Sequence, residues 1–369
     1  MNLKQKILLG VTGTVATSLT RKIVEGFIEK GFDVGLVFTE KAKSFIDYSD
    51  LIGTGHSGIF DDSNEWPTNN NGEPMIWEKG NPIAHIDLRE MYSAYVVICS
   101  ANTLAKIANG ICDNLVTSIA RAWPTYKPFI IAPAMNTTMW EHSTTEKHLK
   151  EFEYFSKNNK IVFPAVKKLA CGTMGIGALA NIEKIVSVTE SSLVWKFPIR
   201  NCYGLPINPH PGAFGFSRKD SRHTGVDIYT DLDEPVYAVE EGTIVGIEHF
   251  TGDWDNSPWW NNTDCVLIKG ATGVVLYGEI SVDEYWVRGS RIQAGEYLGK
   301  VMRVIKEGRD HYEITGWRPT MLHMELYPHD TLFASHGFEE HLLNDPTPFL
   351  LKNNGWNNPK TVTYDSYKA

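Results

Sequence analysis

Hydrophobic and polar positions change rhythm midway along this chain. In the first half, Ile7 to Val11 is an unbroken apolar run, Thr14 to Lys30 repeats apolar residues at helical spacing up to Gly31, and Asp33 to Phe38 is a second apolar run. Together they predict a βαβ unit. Tyr95 to Cys99 and Phe129 to Ala132 read as further strands, with Thr103 to Trp123 helical between them. Such alternation predicts a parallel sheet covered by helices on both faces. From Asp47 to Pro82 the periodicity gives way to Gly, Asn, Asp and Pro, the signature of a long surface excursion, flap or ornament, with one short strand near Met75 to Trp77. From Phe197 to Phe216 prolines and glycines again replace the pattern and mark a linker. Beyond it come short alternating runs: Pro235 to Val239, Thr243 to Ile247, Cys265 to Ile268, Val274 to Ile280 and His323 to Tyr327. These predict a mainly antiparallel β domain. The expected organisation is a first α/β domain over 1–196, a linker over 197–216, a β domain over 217–352 and a polar tail over 353–369.

Composition narrows the function classes. A chain of 369 residues with 42% apolar and 21% charged residues has material for two sizeable cores. A formal net charge of −9 argues against a nucleic-acid partner, because phosphate backbones are held by excess Lys and Arg. No apolar run approaches the roughly 18 residues of a membrane span, so no membrane partner and a cytoplasmic location are expected. Cys99, Cys112, Cys171, Cys202 and Cys265 are odd in number and form no CxxC pair, which points away from a disulfide framework or a thiolate zinc site. A working thiol stays open.

Several segments carry chemistry. Gly13-Thr14-Val15 follows the first strand and opens a helix, where backbone N–H groups suit a phosphate. Ser100-Ala101-Asn102-Thr103 repeats that arrangement, although an ordinary N-cap has the same appearance. Pro133 to Trp140 (PAMNTTMW) ends a strand, where ligands gather in open α/β sheets. Its one Asn amide among two methionines and a Trp suits a flat aromatic ligand and a carboxylate. Leu169 to Gly177 (LACGTMGIG) is a Gly-rich segment around a thiol that can close over a substrate.

With His85-Ile86-Asp87-Leu88 and the run from Ser100 to Leu115, these blocks give the chain from about Lys6 to Val188 a resemblance to the flavin-dependent cysteine decarboxylases. Within them it is most similar to the phosphopantothenoylcysteine decarboxylases of coenzyme A biosynthesis. The resemblance implies a Rossmann-like, flavodoxin-type parallel sheet, bound FMN and a homotrimer or trimer-based oligomer with sites at subunit interfaces. It implies that Gly13, Thr14, Val15, Thr39, Ser100, Ala101, Asn102 and Thr103 hold FMN, with Met135 near its ring. His85 is then the catalytic base, Cys171 the late proton donor, and Asn136 the grip on the carboxylate of a small cysteine-bearing substrate. Lys168, Ala170 and Leu179 complete the substrate segment. Imidazole suits the first transfer because its ordinary pKa lies near neutrality. Oxidising the thiol to a thioaldehyde lets the carbanion left by CO₂ delocalise into sulfur. Departures from the family pattern at Met91-Tyr92-Ser93, Ile98-Cys99, Lys168, Thr173 and Leu179-Ala180-Asn181 fall mostly on substrate-handling segments and leave a different cysteine substrate open.

In the second half, His223 and Asp227 stand four apart after a turn, and His323 lies on a later strand. Two His and one Asp form an open zinc set with room for water. The runs from His223 to Ile247, Ile292 to Gly299 and Leu322 to Leu326 resemble the LytM-type, or M23, zinc peptidases. The resemblance implies an M23-like β fold with His223, Asp227 and His323 as ligands. The family's two non-ligand catalytic histidines are replaced by Met321 and Glu279, so the domain is expected to be degenerate as a peptidase. The leading expectation is FMN-dependent decarboxylation of 4'-phosphopantothenoylcysteine to 4'-phosphopantetheine. The alternatives are oxidative decarboxylation of a peptide's C-terminal cysteine, a non-enzymatic flavoprotein scaffold or regulator, and a zinc metallopeptidase.

Overall fold

The computed structural model describes residues 5–168, 174–218, 221–253, 258–308, 318–329, 331, 343–352 and 360–363. The chain divides into two compact units, residues 4–193 and residues 194–369.

In the first unit, strands β1 (Lys6–Val11), β2 (Asp33–Phe38), β3 (Gly58–Phe60), β4 (Ala94–Cys99), β5 (Phe129–Pro133) and β6 (Asn159–Ile161) form a parallel sheet in the order β3-β2-β1-β4-β5-β6. Ile7, Leu8, Leu9 and Val11 are all fully buried, as a strand covered on both faces requires. The chain builds the sheet outward from β1 through β2 to β3, then returns to the other side of β1 with β4. That reversal opens a crevice beyond the carboxyl ends of β1 and β4, where open α/β sheets place their ligands.

The helices are α1 (Thr20–Glu29), α2 (Asp62–Glu65), α3 (Ala84–Met91), α4 (Ala101–Ala108), α5 (Leu115–Ala122), α6 (Thr137–Trp140), α7 (Ser143–Phe155) and α8 (Ile182–Ser192). The helix expected over Thr14 to Lys30 begins as a 3₁₀ turn, Val15–Leu19, and becomes α1 only at Thr20. Its hydroxyls are the reason: Thr17 Oγ1 donates to Thr12 O and Thr20 Oγ1 to Thr17 O, both at 2.6 Å, diverting carbonyls from the regular ladder. The single helix expected over Thr103 to Trp123 is two, because Gly110 adopts φ +71° and Asn114 starts α5 by accepting from Thr117 N–H at 3.0 Å. The excursion contains β3 and α2, which the sequence reading left out, while Met75 to Trp77 pairs in no strand. Strands β7 (Ala165–Lys168) and β8 (Met174–Ala178) form an antiparallel hairpin. Lys127 is fully buried and caps the last turn of α3, donating to the carbonyls of Arg89 (2.7 Å), Glu90 (3.3 Å) and Tyr92 (2.9 Å).

The second unit is mainly antiparallel, as expected. Its strands are β9 (Leu205–Pro206), β10 (Val226–Tyr229), β11 (Pro235–Tyr237), β12 (Gly242–His249), β13 (Asp264–Gly270), β14 (Val274–Val282), β15 (Arg291–Ile292), β16 (Tyr297–Val301), β17 (Met321–Tyr327) and β18 (Thr361–Val362). The main path runs β10-β17-β14-β13-β12-β15, and β16 bridges β14 and β11. The segment 197–216, read from its prolines as a linker, belongs to this unit instead. It sends Phe197, Ile199 and Leu205 into the core with Ile228, Ile268, Tyr277, Leu298 and Leu322. Its backbone also pairs through β9 with β18, which lies in the polar tail; positions 353–359 and 364–369 of that tail fall outside the described residues. Among the described residues no helix is long and apolar enough to cross a membrane.

Candidate functional site

Four strand ends of the first unit converge through short hydrogen bonds. Val11 O, ending β1, accepts from Thr39 N–H just past β2 at 3.0 Å. Thr12 Oγ1 donates to Ile98 O at 2.7 Å and accepts from Ser100 N–H at 2.9 Å, tying the β1 turn to the β4 turn. Thr14 Oγ1 donates to Ala134 O at 3.1 Å, tying the same turn to the end of β5. Gly13, Thr14, Thr39, Ser100 and Met135 therefore share the carboxyl edge of the sheet. A Cβ at Gly13 would lie 2.7 Å from the Lys41 Cβ, so this turn admits only Gly. Val15 is 54% exposed.

Ser100 acts as the N-cap of α4, its Oγ accepting from Thr103 N–H at 3.2 Å, so the plain capping role is realised here. The start of α4 is tied to the β1 turn through Ser100 N–H and Thr12 Oγ1, and a helix start there suits an anionic or carbonyl-bearing ligand. Thr103 is buried and Asn102 exposed. Thr39 Oγ1 is buried with no hydrogen-bond partner among the described residues, a cost that a ligand's polar atom would remove. An orphan hydroxyl and a helix start on one edge fit the phosphate and ring edge of a flavin.

The substrate segment rests on the β7/β8 hairpin. Met135 N–H donates to Gly177 O at 2.9 Å, and Thr137 Oγ1 donates to Ile176 O at 2.9 Å. Asn136 is exposed and caps α6 by accepting from Met139 N–H at 2.9 Å, which commits Oδ1 and leaves Nδ2 to donate outward. Leu179 is buried beyond β8. Lys168 ends β7, paired in register with Met174. Ala170 and Cys171 lie outside the described residues.

His85 is the second residue of α3 and half-buried. Its Nδ1 lies 2.5 Å from Glu65 Oε1, and its backbone N–H donates to Glu65 Oε2 at 2.9 Å. The sequence reading missed Glu65, which sits in the excursion taken for a loop. The signal available was the Asp61 to Asn64 N-cap pattern, which announces a helix start. Among the described residues no hydrogen bond joins His85 to the Met135–Asn136 turn.

In the second unit, β10 and β17 pair so that Asp227 stands directly opposite His323. With His223 these three buried side chains bring one ligand atom each to within 4.8 Å of one another. The two imidazoles are oriented from behind. His223 Nδ1 bonds Ala213 O at 3.0 Å, and His323 Nε2 bonds Glu325 Oε1 at 3.2 Å, with the Tyr327 hydroxyl donating to the other Glu325 oxygen. His223 Nε2 and His323 Nδ1 thus face Asp227 Oδ1, at 3.1 and 2.7 Å. The His223 contact lacks hydrogen-bond alignment, so that buried nitrogen is unsatisfied among the described residues. Glycine at 225 permits this closeness, because a Cβ there would come within 2.8 Å of the His323 ring. Burial opposes charge on Asp227, yet the two imidazoles hold its carboxyl well below the usual range. Burial likewise opposes charge on His323, but its bonds to Asp227 and Glu325 raise it to about 10. Glu279 is buried, with Oε2 unpartnered among the described residues and φ at +65°; burial, then the Asp227 charge, pushes it up to about 8.

A family model described as Flavoprotein matches residues 1–194. A phosphopantothenoylcysteine decarboxylase of Mus musculus is 38% identical over 194 residues, covering 52% of this chain and 88% of that protein. One from Glycine max is 40% identical over 193 residues, covering 51% of this chain and 83% of that protein. A "Probable thymidylate synthase" of Schizosaccharomyces pombe is 39% identical over 193 residues, and there the chain spans only 29% of the relative's length. Among solved structures, the FMN binding protein AtHal3 is 36% identical, with 52% of this chain and 97% of that one covered at a TM-score of 0.45. The Flavoprotein model takes in more than half of the residues, and the chain belongs to that family.

Proposed function

We propose that the first unit binds FMN and decarboxylates 4'-phosphopantothenoylcysteine to 4'-phosphopantetheine. The observation that carries this reading is the shared sheet edge. Gly13, the orphan Thr39 hydroxyl and the start of α4 lie there beside the Met135–Asn136 turn. Relatives of about 40% identity named for this reaction support it. FMN, when bound, supplies a two-electron acceptor that returns its reducing equivalents at the end. The remaining roles fall to the chain. His85 takes the thiol proton through Nε2, since Nδ1 is engaged by Glu65. Asn136 donates from Nδ2 to the carboxylate and holds it in line for loss as CO₂. Cys171 protonates the product carbon, so the product is the saturated thiol. The unit works in a homotrimer, which light scattering reads directly.

Incubation with phosphopantothenoylcysteine followed by mass spectrometry tests the reading. Wild type yields phosphopantetheine, His85→Asn yields nothing, and Cys171→Ser stops at an oxidised product. Equal full turnover in all three removes the assigned roles. An unsaturated enethiol from a C-terminal cysteine peptide, with no product from phosphopantothenoylcysteine, moves the substrate to peptides.

We also propose that the second unit holds a divalent zinc-class metal through His223 Nε2, Asp227 and His323 Nδ1. The unsatisfied His223 nitrogen beside a buried carboxylate is what favours it. The donor set of two imidazoles and one carboxylate suits zinc and leaves a position open. Metal analysis of purified protein gives about one equivalent in wild type and none in His223→Ala; equal content in both refutes the ligand set.

A further inference from the structure

We propose that Glu65 is a positioning residue for His85, holding its imidazole with Nδ1 protonated and Nε2 free to accept a proton. The inference rests on the decarboxylase reading for its consequence, but its geometry stands apart from that reading.

One carboxylate makes two contacts with the same residue. Oε1 meets the ring at 2.5 Å and Oε2 accepts the backbone N–H at 2.9 Å. The backbone contact fixes the carboxylate relative to the start of α3, and the ring contact then fixes the imidazole about its side-chain torsions. An ionised carboxylate can only accept, so the ring nitrogen facing it must carry hydrogen. In a neutral imidazole this leaves the lone pair on Nε2, the same orienting logic by which a buried Asp sets the His of a hydrolase triad.

Glu65 is itself held. It closes α2, whose start is locked by Asp61 accepting from Ser63 N–H at 2.9 Å while Asn64 Oδ1 accepts from Asp61 N–H at 2.8 Å. The next residue, Asp62, accepts from Leu115 N–H at 2.7 Å and so ties α2 to the start of α5. Lys43 pairs with Asp61 at 2.9 Å. The Glu65 side chain is 10% exposed, against 27% for His85, so the carboxylate is the sheltered partner and the imidazole the accessible one. The excursion that the sequence presents as ornament thus carries a braced carboxylate whose bonds go to the candidate base.

The test uses the full chain with FMN bound. Nitrogen-15 NMR of the His85 ring, assigned by its loss in His85→Gln, reads the tautomer whatever reaction the protein performs. Wild type shows Nδ1 protonated and Nε2 bare; Glu65→Ala shifts the population toward the Nε2-protonated form that free histidine prefers. Turnover of phosphopantothenoylcysteine gives the second readout. Glu65→Gln, close in shape and retaining bound flavin absorbance, lowers kcat by about 10²-fold, within what a general base supplies, and leaves KM within about twofold. Glu65→Asp, too short to span both contacts, behaves like Gln. An Nε2-protonated wild type, an unchanged tautomer in Glu65→Ala, or wild-type kcat in folded Glu65→Gln each overturns the proposal. A tautomer switch in a protein with no decarboxylase turnover leaves the positioning role in place and removes the reaction assigned above.

Discussion

Gly177→Ala isolates the contact that seats the substrate turn. Gly177 sits at φ +132°, which L side chains rarely adopt, and a Cβ there would collide with the carbonyl oxygen of Met135. Two separate costs follow. The backbone conformation alone costs about 1–3 kcal/mol for a residue other than glycine. Relieving the collision means parting β8 from the Met135–Asn136 turn, which weakens the bonds from Met135 N–H to Gly177 O and from Thr137 Oγ1 to Ile176 O, at roughly 1 kcal/mol each. A sum of about 3–5 kcal/mol lowers the melting temperature of a unit of this size by roughly 6–20 °C. The parting is roughly 1 Å, and a misplacement of that size costs up to about 10²-fold in rate. Gly31→Ala is the control. It shares a positive φ, +86°, but a Cβ there meets nothing within 4 Å, so it loses only the conformational part, about 1 kcal/mol. Differential scanning calorimetry and kcat are measured on both. The reasoning fails if Gly177→Ala melts no lower than Gly31→Ala, or if it keeps full turnover with Asn136 supposedly displaced.

Three further tests follow from other contacts. Thr39→Val removes the orphan hydroxyl. Flavin affinity, read by fluorescence titration, falls by about 2- to 12-fold, the worth of one neutral hydrogen bond, while apoprotein stability holds or rises; unchanged affinity shows that the hydroxyl meets no ligand atom. Lys127→Met strips the cap from three carbonyls at the end of α3 and costs about 2–4 kcal/mol in chemical denaturation, with wild-type stability as the contrary result. In metal-free protein, Glu279 has a folded pKa near 8, raised above its unfolded value. Its contribution is therefore intact below the ordinary carboxylate range and lost as pH climbs toward 8. Glu279→Gln flattens that decline, so the variant outmelts wild type at pH 9 and not at pH 5; parallel curves would show that Glu279 ionises as freely folded as unfolded.

The parts of this protein legible in its sequence are those where local pattern and final surroundings coincide. Ile7 to Val11 is apolar at every position because both faces of β1 are covered, and no long-range knowledge is needed to see a strand. Gly13, Ser100 and Met135 could be grouped because each directly follows such a strand, and parallel topology brings those ends together. His223, Asp227 and His323 could be grouped by residue type, but what selects their ligating nitrogens, Ala213 O and Glu325, comes from strand register and a turn. Phe197 to Phe216 misled because proline and glycine report backbone geometry and say nothing about burial. Phe197, Ile199 and Leu205 enter a core supplied by strands read as belonging to a separate domain. Glu65 was the least accessible of all: twenty positions before His85 and amid polar residues, it has no periodicity to mark it. Its contact exists because α2 and α3, both seen only in the folded chain, bring the end of one helix to the start of the next. A polar excursion between two strands can therefore hold second-layer groups of a site, and the residues to inspect there are acids at helix ends, where a carboxylate can satisfy free N–H groups and a side chain together.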